Sequence, residues 1–440
     1  MIKVVKFGGS SLASAEQFRK VADIIHAEDA RRYVVPSAPG KRFSADTKVT
    51  DMLYACYDLA AKGKEGFDEA FEKIKERYLS IIDELGLDLD MTKEFETVKA
   101  CFIGKAGRDY AASRGEYLNG IVLANYLGYE FVDAADVIFF KDSGEFDAER
   151  TQEAVRSRLT GVDRAVVPGF YGSMPNDTIK TFSRGGSDIT GSIVAAAVGA
   201  DIYENWTDVS GFLISDPRIV KDPLPIHTIT YKELRELSYM GAGVLHEDAI
   251  FPVRKAGIPI NIKNTNAPLD PGTMIVESTS QKPQFTITGI AGKKGFTVVN
   301  IEKDMMNSEL GFGRRVLEVF EKNGISFEHM PSGIDTMSIV VHQTEFEPKE
   351  QEILSGLHRN VHPDSIDIET DLALIAVVGR AMKSARGTAG RIFAALAHAH
   401  INVKMIDQGS SELNIIIGVE EKDFEAAIKS IYEIFVVHQL

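Results

Sequence analysis

The sequence predicts a three-layer α/β/α domain with a mainly parallel sheet, followed by two small α+β modules. Three observations lead to this prediction. From residue 1 to about 278, short β-branched runs alternate with longer stretches of helical period, which is typical of a parallel sheet with helices on both faces. A polar segment without periodicity, 277–283, then ends in proline and is the best candidate for a linker. Beyond it, the chain repeats itself at a fixed offset.

The first region, 1–278, alternates between the two kinds of element along its whole length. The runs predicted as buried strands are bounded by Gly, Pro or Asp and lie at 4–7, 33–35, 131–133, 165–167, 202–204 and 258–262. The stretches predicted as helices lie at 15–27, 50–61, 109–127, 148–159 and 187–198. The charged stretch 62–99 reads as a helical excursion with a solvated face. We therefore expect one α/β domain over 1–278.

The second region, 285–440, is a duplicated module, because residues of the same type recur 76 positions apart. In this register Gly311 corresponds to Gly387 and Arg315 to Arg391, and apolar positions around them also coincide. Each copy reads as strand, helix, strand, strand, helix, which is typical of a ferredoxin-like α+β unit. We expect the first copy at about 296–360 and the second at about 372–440, with a strand near 285–291 borrowed by one of them.

The composition excludes several classes of protein. With 49 Lys and Arg against 64 Asp and Glu, the formal net charge is −15, which argues against binding to nucleic acid or to anionic membranes. The two cysteines, Cys56 and Cys101, are too few for a disulfide scaffold or a Cys-rich zinc site. No apolar run approaches the ~20 residues of a membrane helix, and the first residues do not read as a signal peptide. We expect a cytoplasmic protein.

The first candidate site is the segment 6–11, Lys-Phe-Gly-Gly-Ser-Ser, in which a predicted strand runs into a Gly-Gly turn before a helix. Adjacent glycines let backbone N–H groups surround an anion, the start of the helix adds its dipole, and Lys6 can reach a phosphoryl oxygen. The segment matches neither a Walker A loop nor the dinucleotide-binding fingerprint. Taken alone, it fits an ordinary tight turn as well.

The second candidate site is the segment 182–188, Phe-Ser-Arg-Gly-Gly-Ser-Asp, which opens an apolar helix. Arg184 is of the type that binds a carboxylate or a phosphate through two hydrogen bonds. Asp188 has a simpler interpretation as the cap of the helix. Two Gly-Gly-Ser turns at strand-to-helix junctions of one α/β domain favour a double anion site, as in a phosphoryl transferase.

Two further segments carry polar residues that a plain core would not need. Trp-Thr-Asp-Val-Ser-Gly at 206–211 follows a predicted strand, where ligands collect in open parallel sheets, and Asp-Pro-Arg comes soon after at 216–218. Arg-Gly-Glu at 114–116 interrupts an apolar helix, so Glu116 either faces a ligand amine or lies on a solvated helix face. The sequence has no Cys-x-x-Cys spacing, and we expect no metal site built by the protein itself.

These segments, in this order, resemble those of the aspartokinases of the amino acid kinase family, and the resemblance spans the whole chain. It also includes Ser-Ala-Pro-Gly-Lys at 37–41, Lys-Val-Thr-Asp at 48–51, Val-Leu-His at 244–246 and the duplicated module, which is similar to a tandem ACT pair. The resemblance implies ATP-dependent phosphorylation of the β-carboxylate of L-aspartate to 4-phospho-L-aspartate. This is the first step towards lysine, threonine and methionine, and the ACT modules imply feedback regulation.

The implied chemistry fits the residues. A carboxylate nucleophile is already ionised at pH 7, because the reference pKa of an aspartate side chain is about 3.9. No general base is therefore required. Phosphoryl transfer depends mainly on positioning and on charge stabilisation, which a lysine and glycine-rich N–H groups can supply. The resemblance further implies ATP as co-substrate, Mg²⁺ held mainly through the ATP phosphates, and a homodimer or higher oligomer formed through the ACT modules.

The resemblance also assigns roles residue by residue. The implied catalytic residues are Lys6 and Asp188. The implied substrate-binding residues, with Arg184 on the α-carboxylate of aspartate and Glu116 on its ammonium, are Thr50, Glu116, Arg184, Gly185, Gly186 and Ser187. The implied nucleotide-binding residues are Lys6, Phe7, Gly8, Gly9, Ser10, Thr207, Asp208, Leu213, Arg218 and Gly243. The implied effector site, for L-lysine, comprises Met305, Ser308, Gly311, Phe312, Gly313, Phe327 and Glu328, although Met305 and Phe312 also fit a helix core.

Three residues depart from the family pattern. Gly243 stands in place of a lysine, Leu213 stands where some relatives have a tyrosine near the adenine, and Glu247 replaces the usual proline. These departures concern the nucleotide site and leave the aspartate pocket unchanged. Two alternatives stay open: another acyl-phosphate-forming amino acid kinase, for glutamate or N-acetylglutamate, and a non-catalytic amino-acid sensor.

Overall fold

The computed structural model describes residues 1–183, 185–243, 245 and 247–438, with the backbone alone at 247 and 248. The described residues form two compact units. The first unit comprises 1–212, 225–231 and 244–279, and the second comprises 213–224, 232–243 and 280–440. The second unit therefore takes two short segments from within the region that the sequence assigns to the α/β domain.

The elements alternate between strand and helix through the first unit. Its strands are β1 Lys3–Phe7, β2 Arg31–Pro36, β3 Glu130–Phe131, β4 Ala165–Val166, β5 Tyr171–Ser173, β6 Ile179–Thr181, β7 Ile202–Thr207, β8 Thr228–Thr230, β9 Ile260–Asn264 and β10 Thr273–Val276. The helices up to residue 255 are α1 Ala15–His26, α2 Val49–Ala61, α3 Phe67–Leu85, α4 Thr92–Ile103, α5 Arg108–Leu127, α6 Ala134–Val137, α7 Ala148–Leu159, α8 Gly186–Val198, α9 Tyr231–Tyr239 and α10 Glu247–Lys255.

The main sheet of the first unit has eight strands in the order β3-β4-β2-β1-β7-β9-β10-β8. The pairs from β3 to β9 are parallel, whereas β10 runs antiparallel to β9 and parallel to β8. The prediction of a mainly parallel sheet is confirmed. The charged stretch 62–99 is also helical as predicted, and the apolar residues of α3 and α4 pack into the same core as α1, α2 and α5.

The alternation of side chains along β1 decides what each face of the sheet carries. Val5 and Phe7 belong to the apolar cluster that includes residues of α1 to α5. Because successive side chains of a strand point to opposite faces, Lys6 points to the other face, where Asp188 of α8 lies. Helices therefore cover both faces, and Lys6 of β1 meets α8.

The second unit contains the remaining elements of the chain. Its strands are β11 Gly289–Glu302, β12 Phe327–His329, β13 Thr336–His342, β14 Ser365–Val378, β15 Met405–Asp407 and β16 Asn414–Glu420. Its helices from residue 312 onward are α11 Phe312–Lys322, α12 Gln343–Phe346, α13 Glu350–Val361, α14 Thr388–His398 and α15 Phe424–Tyr432. The bounds of α11 and α14 reproduce the offset of 76 residues that the sequence repeat predicts.

The two copies share one antiparallel sheet in the order β12-β13-β11-β14-β16-β15. The long strands β11 and β14 join the copies, since residues 289–294 of β11 pair with the second copy's part of β14. The borrowed strand predicted near 285–291 thus begins later, at Gly289. The hydroxyl groups of Thr286 and Thr288 bond instead to Arg391 and Glu233.

No helix in the described part of the chain is long and apolar enough to cross a membrane.

Candidate active site

Lys6 meets two polar side chains near the carboxyl ends of β1 and β7. Its Nζ atom lies 2.6 Å from Oδ1 of Asp188, in the first turn of α8. Asn205 stands beside Lys6 in the parallel register of β7 with β1. Its Oδ1 accepts from Lys6 Nζ at 3.4 Å, and its Nδ2 donates to Asp188 Oδ1 at 2.8 Å. The sequence-predicted pair Lys6 and Asp188 is therefore in contact, and Asn205, which the sequence did not single out, completes the group.

The first Gly-Gly turn follows directly after Lys6 and leads into a 3₁₀-helix, Gly9–Leu12. Gly9 lies against a loop that follows β2, because a Cβ on Gly9 would come within 2.9 Å of the Ala38 carbonyl oxygen. The N–H of Gly40 in that loop donates to the Gly9 carbonyl at 2.8 Å. These close backbone approaches explain why glycine is required here, which the local sequence alone does not reveal.

The other residues of this turn differ in what they offer to a ligand. Phe7 is fully buried and its ring stacks on Trp206 at 5.9 Å, so only its backbone can contribute to a nucleotide site. Ser10 is exposed. A Cβ on Gly8 would lie 3.6 Å from Lys6 Nζ, so Gly8 leaves the approach to the ammonium open.

The second Gly-Gly turn begins α8, and Arg184, the residue before it, lies outside the described residues. Gly185 has a φ of +56°, a conformation that favours glycine. Gly186 packs so closely on Phe170 that an added Cβ would come within 2.1 Å of its ring. Ser187 is buried. The turn that contains Phe170 was not predicted as part of the site; Pro-Gly-Phe-Tyr-Gly at 168–172, between two strands, is the signal that marks it.

Glu116 is the most unusual carboxyl group of the first unit. It lies on α5, it is 6% exposed, and its Oε2 has no hydrogen-bond partner among the described residues. Burial raises the pKa of Glu116 to about 8, although the backbone near Ala38 and the charge of Arg114 act in the opposite direction. The Thr50 hydroxyl is close by, 3.8 Å from where a Cβ on Gly115 would lie. Thr50 of α2 thus lies against α5 at Gly115, next to Glu116 in sequence, and the interpretation of Glu116 as a solvated residue is wrong.

Two other buried polar residues of α5 were missed by sequence reasoning. Asn119 donates to the Ser37 carbonyl at 2.7 Å, and its Oδ1 is unpaired within the described part of the chain. Asn119 lies three positions after Glu116, so the two share one face of the helix. Arg114 lies over the ring of Tyr117 at 4.3 Å, and its Nη2 likewise has no hydrogen-bond acceptor among described atoms. Polar residues spaced along an apolar helix are the signal that could have found them.

The sequence-predicted nucleotide positions are divided between the two units. Thr207 and Asp208 lie at the carboxyl end of β7 in the first unit, where the Thr207 hydroxyl donates to Asp208 Oδ1 at 3.2 Å. Leu213, Arg218 and Gly243 belong to the second unit. There Arg218 is exposed and bonded to Asp216, with Nη2 2.6 Å from Oδ2. Gly243 is exposed, with open space where its Cβ would be.

Most of the predicted effector residues gather in one loop of the second unit. Met305 and Ser308 are exposed, and the Ser308 hydroxyl donates to the Met305 carbonyl at 2.8 Å. Gly311, with a φ of +79°, and Gly313 lie at the start of α11. Phe312 is buried in the core beneath that helix, so the alternative that it is a core residue is correct for its side chain.

Phe327 and Glu328 lie on the edge strand β12, and Glu328 does not join that loop. Phe327 is largely exposed. Glu328 accepts from the Tyr239 hydroxyl at 2.6 Å and lies 3.2 Å from His342 Nε2. Since Val341 packs in the core beneath α11, its neighbour His342 points to the opposite face of the sheet, and Glu328 lies there with it.

Taken together, the first unit presents two features that suit the transfer of a phosphoryl group to a carboxylate. One is a lysine ammonium at a glycine turn, which stabilises negative charge that develops nearby. The other is a buried carboxyl group with no ion pair among the described residues, which suits the ammonium of a ligand. Neither feature supplies a base, and a carboxylate nucleophile requires none.

Comparison with known proteins agrees with these features. The family model of the amino acid kinase family matches residues 1–264, and that of an ACT domain matches 375–435. Aspartokinase 3 of Bacillus subtilis is 40% identical over 99% of this chain and 98% of its own length. The crystal structure of aspartate kinase from Clostridium acetobutylicum is 54% identical, covers 99% of both chains and has a TM-score of 0.91. Aspartokinase III of E. coli, at 24% identity, 99% coverage of both chains and a TM-score of 0.73, shares the fold.

Proposed function

The chain belongs to the amino acid kinase family and, within it, to the aspartokinases, and we propose that it transfers the γ-phosphoryl group of ATP to the β-carboxylate of L-aspartate. The products are 4-phospho-L-aspartate and ADP. The observation that carries the proposal is the contact of Lys6 with Asp188 beside a glycine turn, in a unit that also buries Glu116 with an oxygen unpaired in its described surroundings.

In this proposal Lys6 stabilises the phosphoryl group as it moves from ATP to aspartate. The ammonium lies at the Gly8 turn, where a phosphoryl oxygen can accept from it and from backbone N–H groups at once. Asp188 holds the ammonium at 2.6 Å before the nucleotide arrives. Because the loss of a preorganised donor acts mainly on the transition state, Lys6 is expected to determine kcat.

Glu116 receives the ammonium of aspartate in this proposal, and Thr50 lines the same pocket. A buried carboxyl group that lacks a cation gains most from a ligand that brings one. An N-acetylated substrate carries a neutral amide at that position, so Glu116 favours a free amino acid over N-acetylglutamate. Glu116 does not distinguish aspartate from glutamate, and the identity to the aspartokinases supports aspartate.

Arg184 binds the α-carboxylate of aspartate in this proposal, next to Gly185, Gly186 and Ser187. Such a contact acts in the ground state and in the transition state alike, so its loss appears in KM. We expect Arg184→Ala to raise KM for aspartate steeply, since stranding a charged partner typically costs roughly 2–5 kcal/mol. Calorimetry of ATP binding without aspartate should give nearly the wild-type affinity. Equal loss of both ligands in a folded variant would contradict this role.

The polar residues near the strand ends fit a Mg²⁺ ion that enters with ATP. Asp188 and Asp208 offer carboxylate oxygens, the ligands that Mg²⁺ prefers. Asp208 is exposed, and Asp188 is in part accessible. A bound Mg²⁺ neutralises negative charge on the ATP phosphates. The remaining charge stabilisation then comes from Lys6 and the glycine turn.

We propose that residues 1–278 are the catalytic domain, that 285–440 form the tandem ACT region, and that this region binds L-lysine and joins two or more copies of the chain. The loop with Met305 and Ser308 supports an effector site, because these residues are exposed to solvent and can reach a ligand, whereas the apolar residues beneath them are packed in the core. Glu328, which the resemblance assigns to this site, also accepts from the Tyr239 hydroxyl, and its carboxylate has further acceptor sites.

The duplicated module offers a matched pair of serines to test the effector site. Ser308 and Ser384 are 76 positions apart, and each hydroxyl donates to a carbonyl three residues earlier. We expect Ser308→Ala to raise the lysine concentration for half-inhibition by roughly 3- to 10-fold, the worth of about one hydrogen bond. Ser384→Ala should leave it unchanged. Equal responses, or no inhibition of the wild type by millimolar lysine, would contradict a first-copy site.

The proposed activity is tested by ADP release from ATP with L-aspartate, L-glutamate or N-acetyl-L-glutamate as acceptor. We expect release with aspartate alone. Release only with glutamate or N-acetylglutamate would make the protein another acyl-phosphate-forming kinase. Release with none of them, together with binding of an amino acid, would make it a sensor without turnover.

A further inference from the structure

Asn205 is the one member of the Lys6 group that the proposed activity does not yet explain. It is 3% exposed and lies on β7 directly beside Lys6 of β1. A buried position next to an apolar sheet core is ordinarily filled by an aliphatic residue, because an amide there loses its bonds to water. Asn205 regains those bonds from two charged partners rather than from the backbone.

The amide of Asn205 contacts both charges at once. Its Oδ1 faces the Lys6 ammonium at 3.4 Å, and its Nδ2 faces Asp188 Oδ1 at 2.8 Å. Only this orientation of the amide is compatible with both partners, since an ammonium donates and a carboxylate accepts. With Lys6 and Asp188 in contact at 2.6 Å, the three side chains close a triangle.

We infer that Asn205 is a positioning residue for phosphoryl transfer, which holds the Lys6 ammonium and the Asp188 carboxylate in place when the phosphoryl group arrives. The inference rests on the proposed function. When the phosphoryl group arrives, Lys6 must exchange a hydrogen bond to Asp188 for one to a phosphoryl oxygen. A lysine side chain that loses a partner can adopt several rotamers. The amide oxygen keeps one bond to the ammonium, and the amide N–H keeps one bond to the carboxylate.

A neutral amide suits this position better than a carboxylate. An aspartate at 205 would place a second negative charge beside Asp188, and it lacks the N–H that donates to Asp188 Oδ1. Asn205→Asp nearly keeps the shape of the side chain and is therefore expected to lower kcat, which a role in filling space alone would not produce.

A second residue of β7 provides a matched control. Tyr203 points to the same face of the sheet as Asn205, and its hydroxyl donates to the backbone oxygen of Asp188 at 3.1 Å. The same hydroxyl also contacts the Asn205 side chain. Tyr203→Phe thus removes a hydrogen bond to the same turn of α8 and one neighbour of the amide, but it leaves the bonds of the amide to the ammonium and the carboxylate in place. It separates support of the helix from positioning of the charges.

The experiment compares wild type, Asn205→Leu, Asn205→Asp and Tyr203→Phe in the aspartate-dependent ADP assay between pH 6 and 8, with melting temperatures recorded. We expect Asn205→Leu to lower kcat roughly 10- to 100-fold with KM for aspartate within about 3-fold. Asn205→Asp should also lower kcat by roughly 10-fold or more, because it loses the N–H that donates to Asp188. Tyr203→Phe should keep kcat within about 3-fold of wild type.

A second readout needs no substrate. In protein labelled with ¹³C at the lysine ε-carbon, the Lys6 signal is identified by its absence in Lys6→Met. We expect this signal to show a more disordered side chain in Asn205→Leu and an unchanged one in Tyr203→Phe. If wild type releases no ADP with aspartate, the proposed function fails and this signal still decides the role of Asn205. An unchanged kcat or Lys6 signal in Asn205→Leu, or equal losses in Tyr203→Phe, would overturn the inference.

Discussion

The strands β1 and β7 carry two buried clusters of charge that differ in how completely they are paired. The paired cluster consists of Lys3, Arg31 and Glu204: Glu204 is 2% exposed and lies 2.9 Å from Lys3 and 2.8 Å from Arg31. The second group, which we call the open cluster, comprises the Lys6–Asp188 pair and, separately on α5, Glu116, whose Oε2 is unpaired in the part of the chain that the structure describes.

The same side-chain chemistry therefore has opposite consequences in the two clusters. Burial alone would raise the pKa of Glu204, but the hydrogen bonds and charges of Arg31 and Lys3 outweigh it, and the pKa is lowered. Burial raises the pKa of Glu116 to about 8, because the backbone hydrogen bonds and the charge of Arg114 offset it only in part. A buried group that is left unpaired costs stability. The comparison teaches that the paired cluster stabilises the fold, whereas the open cluster is kept for a ligand.

The largest difference is expected between the two lysines of β1. Lys6→Met should lower kcat by roughly 10³-fold or more, because it removes the charge next to the transferring phosphoryl group. Its melting temperature should stay near that of wild type. Lys3→Met should lower the melting temperature and leave kcat within about 2-fold, since Lys3 contacts Glu28 and Glu204 but no reacting group. Steady-state kinetics and thermal unfolding of both variants check this. Comparable losses of kcat in Lys6→Met and Lys3→Met would contradict the distinction between the open and the paired cluster.

The two glutamates should separate stability from substrate binding. Glu204→Gln leaves Lys3 and Arg31 with only the half-exposed Glu28, so we expect it to lower the free energy of unfolding by roughly 3 kcal/mol. Glu116→Gln should cost little stability, because a neutral amide is easier to bury than an ionised carboxyl group. It should instead raise KM for aspartate. Urea denaturation and kinetics measure both, and a large stability loss in Glu116→Gln would count against an open cluster.

A smaller effect is expected in the pH dependence of stability. The folded pKa of Glu116, about 8, lies above its ordinary value of 4.5, so its contribution is fully present below pH 4.5 and is lost as the pH rises towards 8. The lowered pKa of Glu204 has the opposite sign, with stability lost as the pH falls below its ordinary value. Since one pKa unit is worth about 1.4 kcal/mol, the Glu116 effect amounts to a few kcal/mol.

Melting temperatures between pH 3 and 8 test these signs. Glu116→Gln should be more stable relative to wild type at pH 8 than at pH 5. Glu204→Gln should lose less relative to wild type at pH 3 than at pH 7. Parallel curves for wild type and both variants would show that neither carboxyl group titrates as proposed.

The parts of this account that follow from local sequence could be predicted, and those that depend on distant contacts could not. The strand-to-helix alternation, Lys6 with its glycine turn and the 76-residue repeat are local patterns. Asn205 becomes significant only through its register with β1. The segments 213–224 and 232–243 group with the second unit through residues such as Glu233 and Glu236, which bond to Arg380 and Asn414 far along the chain.

Side-chain direction also does not follow from the motifs. Phe7 and Phe312 stand in predicted binding motifs, yet both side chains pack into cores, because a motif does not reveal which face of an element its residues take. Glu328, predicted as an effector residue, lies on β12 and accepts from Tyr239. Glu116 shows the converse, since a lone carboxylate on an apolar helix cannot be distinguished from a solvated residue until the packing around α5 is known.

The most direct test of the open cluster is the proton balance of aspartate binding. With a pKa of about 8, Glu116 is mostly protonated at pH 7 in the free enzyme, and it must ionise to pair with the ammonium of aspartate. Calorimetric titration of the wild type with L-aspartate at pH 7, in two buffers of different ionisation enthalpy, counts the protons exchanged. We expect close to one proton released per aspartate bound in wild type and in Lys3→Met. Aspartate binding with no proton released would contradict the claim that Glu116 is kept unpaired for the substrate.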